Sequence, residues 1–234
     1  AGTIEDSRIT VGGNVLCKFG FLGQGKGLIE AKGNVNIGFL KNQRVRSRKN
    51  VSIAKEALNA VIYAKNSIEV FGNPLSVAGG HLIARDSIIV YTAGNNSNIR
   101  TILEVGLDFT MVEGLKKIET QIEEISENKS KLLEPIKRFN RLIKARKKLP
   151  AKEEFLFNKL KNTLKRYEQQ ITELESRKNA IEKKMRDTEN AFIKINHAAM
   201  PGTIFKIGTR YHLVKDELVG PKTVRLIKNQ FRIL

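Results

Sequence analysis

The residue types that are scarce in this sequence exclude several classes of protein. There is one cysteine, Cys17, and no tryptophan. A single cysteine excludes an internal disulfide and a metal site of several cysteines, and it is typical of a reducing compartment. Aromatic residues make up 6% of the chain, which argues against a stacking platform for carbohydrate or nucleic-acid bases. No apolar run approaches the roughly 18 residues of a membrane-spanning helix, and no secretory leader is visible.

Acidic residues are also in short supply relative to basic ones. The chain has 42 Lys and Arg against 24 Asp and Glu, which gives a formal net charge of +18. Such a charge favours an anionic partner, which could be nucleic acid, an acidic membrane surface or an acidic protein. Apolar residues supply 41% of the 234 positions, so the chain can bury a core in one large domain or two small ones.

The first half of the chain repeats itself. Five nine-residue copies have aliphatic residues at positions one, seven and nine, apart from Cys17, a small residue at position three and turn formers at positions four to six. Alternation on both sides of a polar turn predicts two short strands joined at a corner. Because the segments between copies are too short for crossover helices, the pattern predicts a parallel β-helix with one copy in each coil. The copies begin at Ile9, Ile29, Val45, Ile62 and Leu82.

This interpretation makes one geometric prediction. The residues at position seven should stack in a single column inside the β-helix, and Cys17 should face inward with the aliphatic residues and serve packing. The column consists of Val15, Val35, Val51, Ile68 and Ile88.

The stretch from Gly20 to Gly27, GFLGQGKG, has the spacing of a phosphate-binding loop. Position 27, however, is glycine, so the hydroxyl that would bind magnesium is absent. The segment that follows, LIEA, predicts a strand rather than a helix whose N-terminus could hold phosphate. A glycine-rich turn between two coils is therefore the favoured interpretation.

Residues 111–192 change to a helical period. Two heptad seams flank Pro150 and have similar lengths, so they predict an antiparallel coiled-coil hairpin in which paired residue numbers sum to about 300. Lys129 and Lys178 interrupt the seams. The first seam comprises Leu115, Ile118, Ile122, Ile125, Leu132, Ile136, Phe139 and Ile143, and the second comprises Leu160, Leu164, Tyr167, Ile171, Leu174, Ile181, Met185 and Phe192.

Residues 193–234 return to alternating strand segments punctuated by glycine and proline. The simplest organisation is a β-helix over residues 1–110, a helical hairpin inserted at 111–192, and strands over 193–234 that resume or cap the β-helix.

The order of these segments and their motifs resembles one known family, the flagellar assembly protein A (FapA) family of polymer-forming, bactofilin-like β-helix proteins. The resemblance covers nearly the whole chain. The residues that carry it include Gly79, Gly80, Ala84, Thr101, Leu103, Glu104, Val105, Gly106, Pro201, Gly202, Thr203, Ile204, Ile207 and Gly208.

The resemblance implies a mainly β fold: a right-handed parallel β-helix interrupted by an antiparallel coiled-coil hairpin. It also implies a bacterial, cytoplasmic, non-enzymatic protein with no cofactor, linked to flagellar assembly and scaffolding. It supplies no catalytic residues, and the protein partner is unknown.

The residues themselves suggest no catalytic or metal site. His81, His197 and His212 lack the spacing of metal ligands, and the acids of the first 110 residues mostly stand singly. Glu104 is expected to hydrogen-bond the backbone where the chain leaves the β-helix.

Residues 137–166, the basic segment, contain twelve basic residues and only two acids, Glu153 and Glu154. Two interpretations stay open: a solvated coil end that serves a scaffold able to form homo-oligomers, or a surface that docks weakly on nucleic acid or an anionic membrane. The basic residues are Lys137, Arg138, Arg141, Lys144, Arg146, Lys147, Lys148, Lys152, Lys159, Lys161, Lys165 and Arg166.

Overall fold

The structure is a computed structural model that describes residues 2–74, 76–146, 149–185, 190–228 and 230–234, without the side chains of residues 146, 184 and 185. The chain forms two compact units. One comprises Ala1–Thr110 with Met185–Leu234, and the other comprises Met111–Lys184. We call them the solenoid unit and the hairpin unit.

The solenoid unit is built from strands. They are β1 (Ile4–Glu5), β2 (Arg8–Val11), β3 (Val15–Leu22), β4 (Leu28–Ala31), β5 (Val35–Lys41), β6 (Arg44–Ser47), β7 (Val51–Ile53), β8 (Ala57–Ala64), β9 (Ser67–Val70), β10 (Val77–Ala84), β11 (Ser87–Ala93), β12 (Thr101–Val105), β13 (Phe192–Ala199), β14 (Thr203–Ile207), β15 (Arg210–Leu213), β16 (Leu218–Val219), β17 (Lys222–Ile227) and β18 (Gln230–Ile233).

The predicted column of position-seven residues is present. Parallel registers align Val15, Val35, Val51, Ile68 and Ile88 across successive coils. All of them except Val15 are completely buried. The prediction of a parallel β-helix of stacked copies is therefore confirmed, and each apolar face is buried only because the next coil covers it.

Each coil has three strand-bearing faces rather than the two that the nine-residue pattern predicts. Besides the columns of positions one and seven, a third column runs through the segments between copies. These segments contain glycines and vary in length, which hid their alternation in the sequence. The third column aligns Phe21, Leu40, Ala57, Val77, Ala93 and Ala199.

A sixth copy is split by the helical insertion. Leu103 continues the position-one column on Leu82, and Ile193 continues the position-seven column on Ile88. The amide of Gly106 donates to the carbonyl of Arg85 at 3.0 Å, and that of Phe192 to the carbonyl of Asp86 at 3.1 Å. The chain thus leaves and re-enters the solenoid at the same corner.

Phe192 was predicted as the last residue of the second heptad seam, and that prediction is wrong. It is the first residue of β13 and pairs with Ser87. Its aliphatic neighbours Ile193 and Ile195 alternate with period two, so strand pairing takes the residue out of the helical pattern.

The polar corners of the first three copies are stabilised by a ladder of asparagines at position six. The side-chain oxygen of Asn14 accepts from the amide of Asn34 at 2.8 Å, and that of Asn34 accepts from the amide of Asn50 at 3.2 Å. Asn50 in turn accepts from the amide of Ser67 at 3.2 Å. The turn formers at position six therefore satisfy backbone donors that the corner leaves without strand partners.

The C-terminal strands pair antiparallel, unlike the coils below them. β14 pairs with β15, β13 pairs with β17, and β17 pairs with β18. Val224 packs opposite Ile193 and is completely buried. These strands cap the last coil and occupy its edge.

The hairpin unit consists of helices α1 (Phe109–Arg146) and α2 (Ala151–Met185). The two lysines that interrupt the heptad seams both find acidic partners on the other helix. Lys129 lies 3.2 Å from Glu168, and Lys178 lies 2.7 Å from Glu119. These pairs have residue numbers that sum to 297, so the register lies close to the predicted sum of about 300.

Near the connection between the helices, aromatic residues replace the aliphatic seam. The rings of Phe139 and Phe157 lie 5.7 Å apart, and Leu149 and Phe157 are buried. Lys161 places its ammonium group 5.3 Å from the centre of the Phe157 ring. This cluster closes the end of the hairpin where α1 and α2 meet.

Candidate functional site

The basic segment lies around this closed end of the hairpin. Lys147 and Lys148 lie outside the described residues. Arg146 ends α1, but its side chain is not described. Every other basic side chain of the segment is exposed to solvent. These are Lys137, Arg138, Arg141, Lys144, Lys152, Lys159, Lys161, Lys165 and Arg166.

The residues that carry the family resemblance come together on successive coils. The hydroxyl of Thr101 accepts from the amide of Gly79 at 2.8 Å and donates to the carbonyl of Ile99 at 2.9 Å. Gly80 aligns with Thr101, and Thr101 aligns with Thr203 in parallel register. These family-motif residues therefore connect three successive coils: Gly79, Gly80 and Thr101 precede the helical insertion, and Thr203 follows it.

Two glycines of the motif are fixed by their backbone conformation and by close contacts. Gly80 has φ +86°, and a Cβ there would overlap the backbone of Ala60. Gly202, which follows Pro201, has φ +85°, and a Cβ there would meet the backbone of Asn98. Only glycine meets both requirements without strain.

Glu104 is a buried carboxylate whose partners the sequence did not reveal. We expected a bond to the backbone, but its oxygens pair with side chains: Oε2 lies 2.7 Å from His81 Nε2, and Oε1 lies 2.8 Å from Lys206 Nζ. The expectation was wrong because the partners lie on the coils on either side. Lys206 aligns with Glu104 across the insertion.

The environment of Glu104 lowers its pKa. Burial is the largest influence and acts to raise the pKa of this carboxyl, but the hydrogen bonds and charges of His81 and Lys206 together outweigh burial. The side chain is only 5% exposed. Because both oxygens are engaged, the carboxylate joins three coils and is poorly placed to act as a general base.

The glycine-rich turn that mimics a phosphate loop holds a carboxylate of the chain itself. Asp6 accepts from the amides of Gln24 at 3.0 Å and Lys26 at 3.2 Å, and from Gln43 Nε2 at 2.6 Å. The hydrogen bond from Gln43, followed by that from Gln24, lowers the pKa of Asp6. The strand β4 follows the turn, in agreement with the interpretation of a turn between coils.

The histidines have partners of different kinds. His197 stacks on Tyr91 with ring centres 5.2 Å apart, and His212 stacks on Phe205 at 6.4 Å. Cys17 is buried and faces the core, which confirms its predicted packing role. Within the described part of the chain, no three His, Cys, Asp or Glu residues are grouped so that they could hold a metal ion.

Neither described helix has an apolar stretch long enough to cross a bilayer. α1 and α2 carry charged residues throughout their length.

Stacked parallel coils with aliphatic columns, a polar corner ladder and a helical insertion define a β-solenoid protein. The sequence profile of the Flagellar Assembly Protein A (FapA) beta solenoid domain matches residues 1–231. The chain therefore belongs to this family, and membership supports a structural or assembly role. No curated protein and no solved structure is similar enough to the chain to count as a match.

Proposed function

We propose that this protein is a non-enzymatic scaffold that serves flagellar assembly or cell-surface organisation, and that it contacts protein partners through its helical hairpin. The flagellar part of the proposal rests on the family name. The scaffold part rests on a structural observation: the parallel register of the solenoid continues across the insertion. Residues 107–190 are therefore not needed to complete the coils and are available for a separate task.

Self-association is the second part of this proposal. Among the described strands, β2 pairs only with β4, so its other edge has free backbone donors and acceptors. At the opposite end, antiparallel strands cover the last coil. We propose homo-oligomers that form through the edge of β2 and close as pairs; the polymer-forming, bactofilin-like character implied by the resemblance is the alternative that sedimentation distinguishes.

A gene-replacement experiment tests the scaffold function. In the bacterium that carries this gene, the chromosomal copy is replaced by a variant in which residues 107–190 are removed and Gly106 is joined to Ala191. We expect the variant to accumulate as a folded protein while flagellar number, or the surface structure that the protein organises, is lost. Normal flagella and cell surface in this strain would contradict a role of the hairpin in partner contact.

A matched control separates the loss of contacts from the loss of protein. A variant that keeps the hairpin but replaces Lys116 and Lys117 by glutamine changes two exposed charges outside the basic segment. It should support normal assembly, since surface charges of this kind contribute little to stability.

A further inference from the structure

Two apolar side chains stand exposed within the basic segment. Phe155 is 72% exposed and Leu156 is 48% exposed, both in the first turns of α2. Their neighbour Phe157 is buried against Phe139. The hairpin thus closes without Phe155 and Leu156, so the packing of the helices does not explain them.

Phe155 lies on a basic face of α2. It lines a shallow groove with Lys159, Asn162 and Arg166, together with Asn158 and Thr163. These residues follow at intervals of three, four, seven, eight and eleven, which places them on one side of a helix. None of them is acidic. The face therefore presents one aromatic ring beside two cations and several hydrogen-bond donors.

The charge around this face is predominantly positive, although Glu153 and Glu154 precede Phe155. The nine basic side chains described in the segment are all exposed, whereas the segment contains only two acids. Exposed Lys and Arg around a pair of apolar side chains are typical of helices that bind at a lipid–water interface. The apolar groups enter the headgroup region, and the cations attract anionic lipids.

We propose that the closed end of the hairpin docks on an anionic phospholipid surface, with Phe155 and Leu156 inserted among the headgroups and Lys159 and Arg166 bound to lipid phosphates. Nucleic acid would satisfy the cations and could stack on Phe155, but it offers no comparable environment for the aliphatic Leu156. This inference goes beyond the scaffold function, because it commits the basic segment to lipid, where the sequence left nucleic acid and membrane open, and it assigns Phe155 and Leu156 a role in the contact.

The absence of tryptophan provides a direct reporter. In the full chain, Phe155→Trp introduces a single tryptophan at the proposed contact. We expect its emission to shift to the blue on vesicles that contain phosphatidylglycerol, and to be quenched when the lipid chains are brominated. Vesicles of phosphatidylcholine alone should give neither effect.

Co-sedimentation of the full chain with phosphatidylglycerol vesicles separates the apolar contribution from the charge contribution. The double variant Phe155→Ser with Leu156→Ser should lose at least about tenfold in vesicle affinity. Lys159→Gln with Arg166→Gln should lose about fivefold for each charge removed, and higher salt should weaken binding of the unaltered chain.

Two control variants match these changes elsewhere on the hairpin. Leu133→Ser removes an apolar side chain that is 39% exposed and lies outside the basic segment. Lys116→Gln with Lys117→Gln removes two exposed charges at the other end of α1. Both should bind vesicles like the unaltered chain, and circular dichroism should show equal helix content in all variants.

Each of three results would overturn the proposal. The first is the absence of a blue shift on anionic vesicles. The second is vesicle binding that does not change when Phe155 and Leu156 are replaced. The third is binding to duplex DNA or RNA that is tighter than vesicle binding at the same salt concentration. A failure here would leave the gene-replacement test of the scaffold untouched, since that test removes the whole hairpin.

Discussion

Gly80 is a position at which the close stacking of two coils requires glycine. Its φ of +86° is costly for any other residue, and a Cβ would overlap the backbone of Ala60 on the previous coil. We expect Gly80→Ala to lower the free energy of unfolding by about 2–3 kcal/mol. Chemical denaturation of the full chain measures the change.

Gly12→Ala is the matched control for this substitution. Gly12 has no atom within 4 Å of the position of a Cβ and no positive φ. Its replacement should leave stability nearly unchanged. Equal effects of the two substitutions would show that contact with Ala60 does not restrict position 80.

Glu104 should make stability depend on pH in the acid range. Because its pKa in the folded protein is lowered from the ordinary value of 4.5, its contribution is fully present above that value and is lost as pH falls through the folded pKa. We expect Glu104→Gln to cost about 1–3 kcal/mol near neutral pH, since it removes charged hydrogen bonds to His81 and Lys206. The difference from the unaltered chain should shrink as the pH falls through the folded pKa of Glu104.

Denaturation curves at a series of pH values test this prediction. Glu30→Gln is a suitable control, because Glu30 is half-exposed and lies 3.9 Å from Arg46. A difference between Glu104→Gln and the unaltered chain that stays constant with pH would show that the carboxylate charge is not the cause.

For single residues, the sequence predicted which side chains face the core but not which polar side chains bind each other. The inward position of Cys17 follows from local alternation. The partners of Glu104 lie 23 residues before it and 102 residues after it, so nothing near Glu104 in the chain indicates them. The hydrogen bond between Asp6 and the glycine-rich turn was missed for the same reason, because Gln24 of the turn lies 18 residues after Asp6.

Among the elements, the sixth coil is the most informative. Its halves, β12 and β13, meet the coil below at the same corner, where the amide of Gly106 donates to the carbonyl of Arg85 and the amide of Phe192 donates to the carbonyl of Asp86. Removal of residues 107–190 should therefore leave a folded solenoid. We expect its β-sheet circular dichroism to persist and its melting temperature to fall modestly, because Phe109 no longer packs on Tyr63 at 5.7 Å.

A longer deletion is the control for this experiment. Removal of residues 105–192 also deletes Val105, which is buried, and Phe192, which pairs with Ser87. That variant should lose the cooperative unfolding transition of the last coils. If both deletions unfold the solenoid, the hairpin is required for its stability.

The elements also show why five copies could be recognised and the sixth could not. A repeat is visible when its aliphatic positions lie within nine residues, as they do from Ile9 to Val90. In the sixth copy, Leu103 and Ile193 belong to one pattern but are separated by two helices. The third face was missed because the lengths between copies vary.

For the whole molecule, the cap determines how far self-association can proceed. β15, β17 and β18 lie over one end. At the other end, β1 and β2 each pair with one described strand, and we propose the edge of β2 for self-association because it is the longer of the two. Two copies that pair through the same edge form a closed dimer. Sedimentation velocity of the 234-residue chain should therefore show monomers and dimers over a range of concentrations, without larger species.

Thr10→Pro tests the edge directly. Thr10 is an exposed residue of β2, and proline removes the backbone donor at an edge strand. We expect the dimer to disappear while the monomer stays folded. Species that grow steadily with concentration would contradict the closed dimer and favour a polymer.

The chain leaves the solenoid after Gly106 and re-enters it at Ala191 at the same corner, and this arrangement favours one order of folding. Joining Gly106 and Ala191 through a disordered segment would carry a large entropic penalty, which rises with the length of the segment. Helices form and pair through local contacts much faster than distant strands meet. We therefore expect the hairpin to form first and to bring Ala191 next to Gly106. Damage to the hairpin should then slow completion of the C-terminal coils even where the final stability is unchanged.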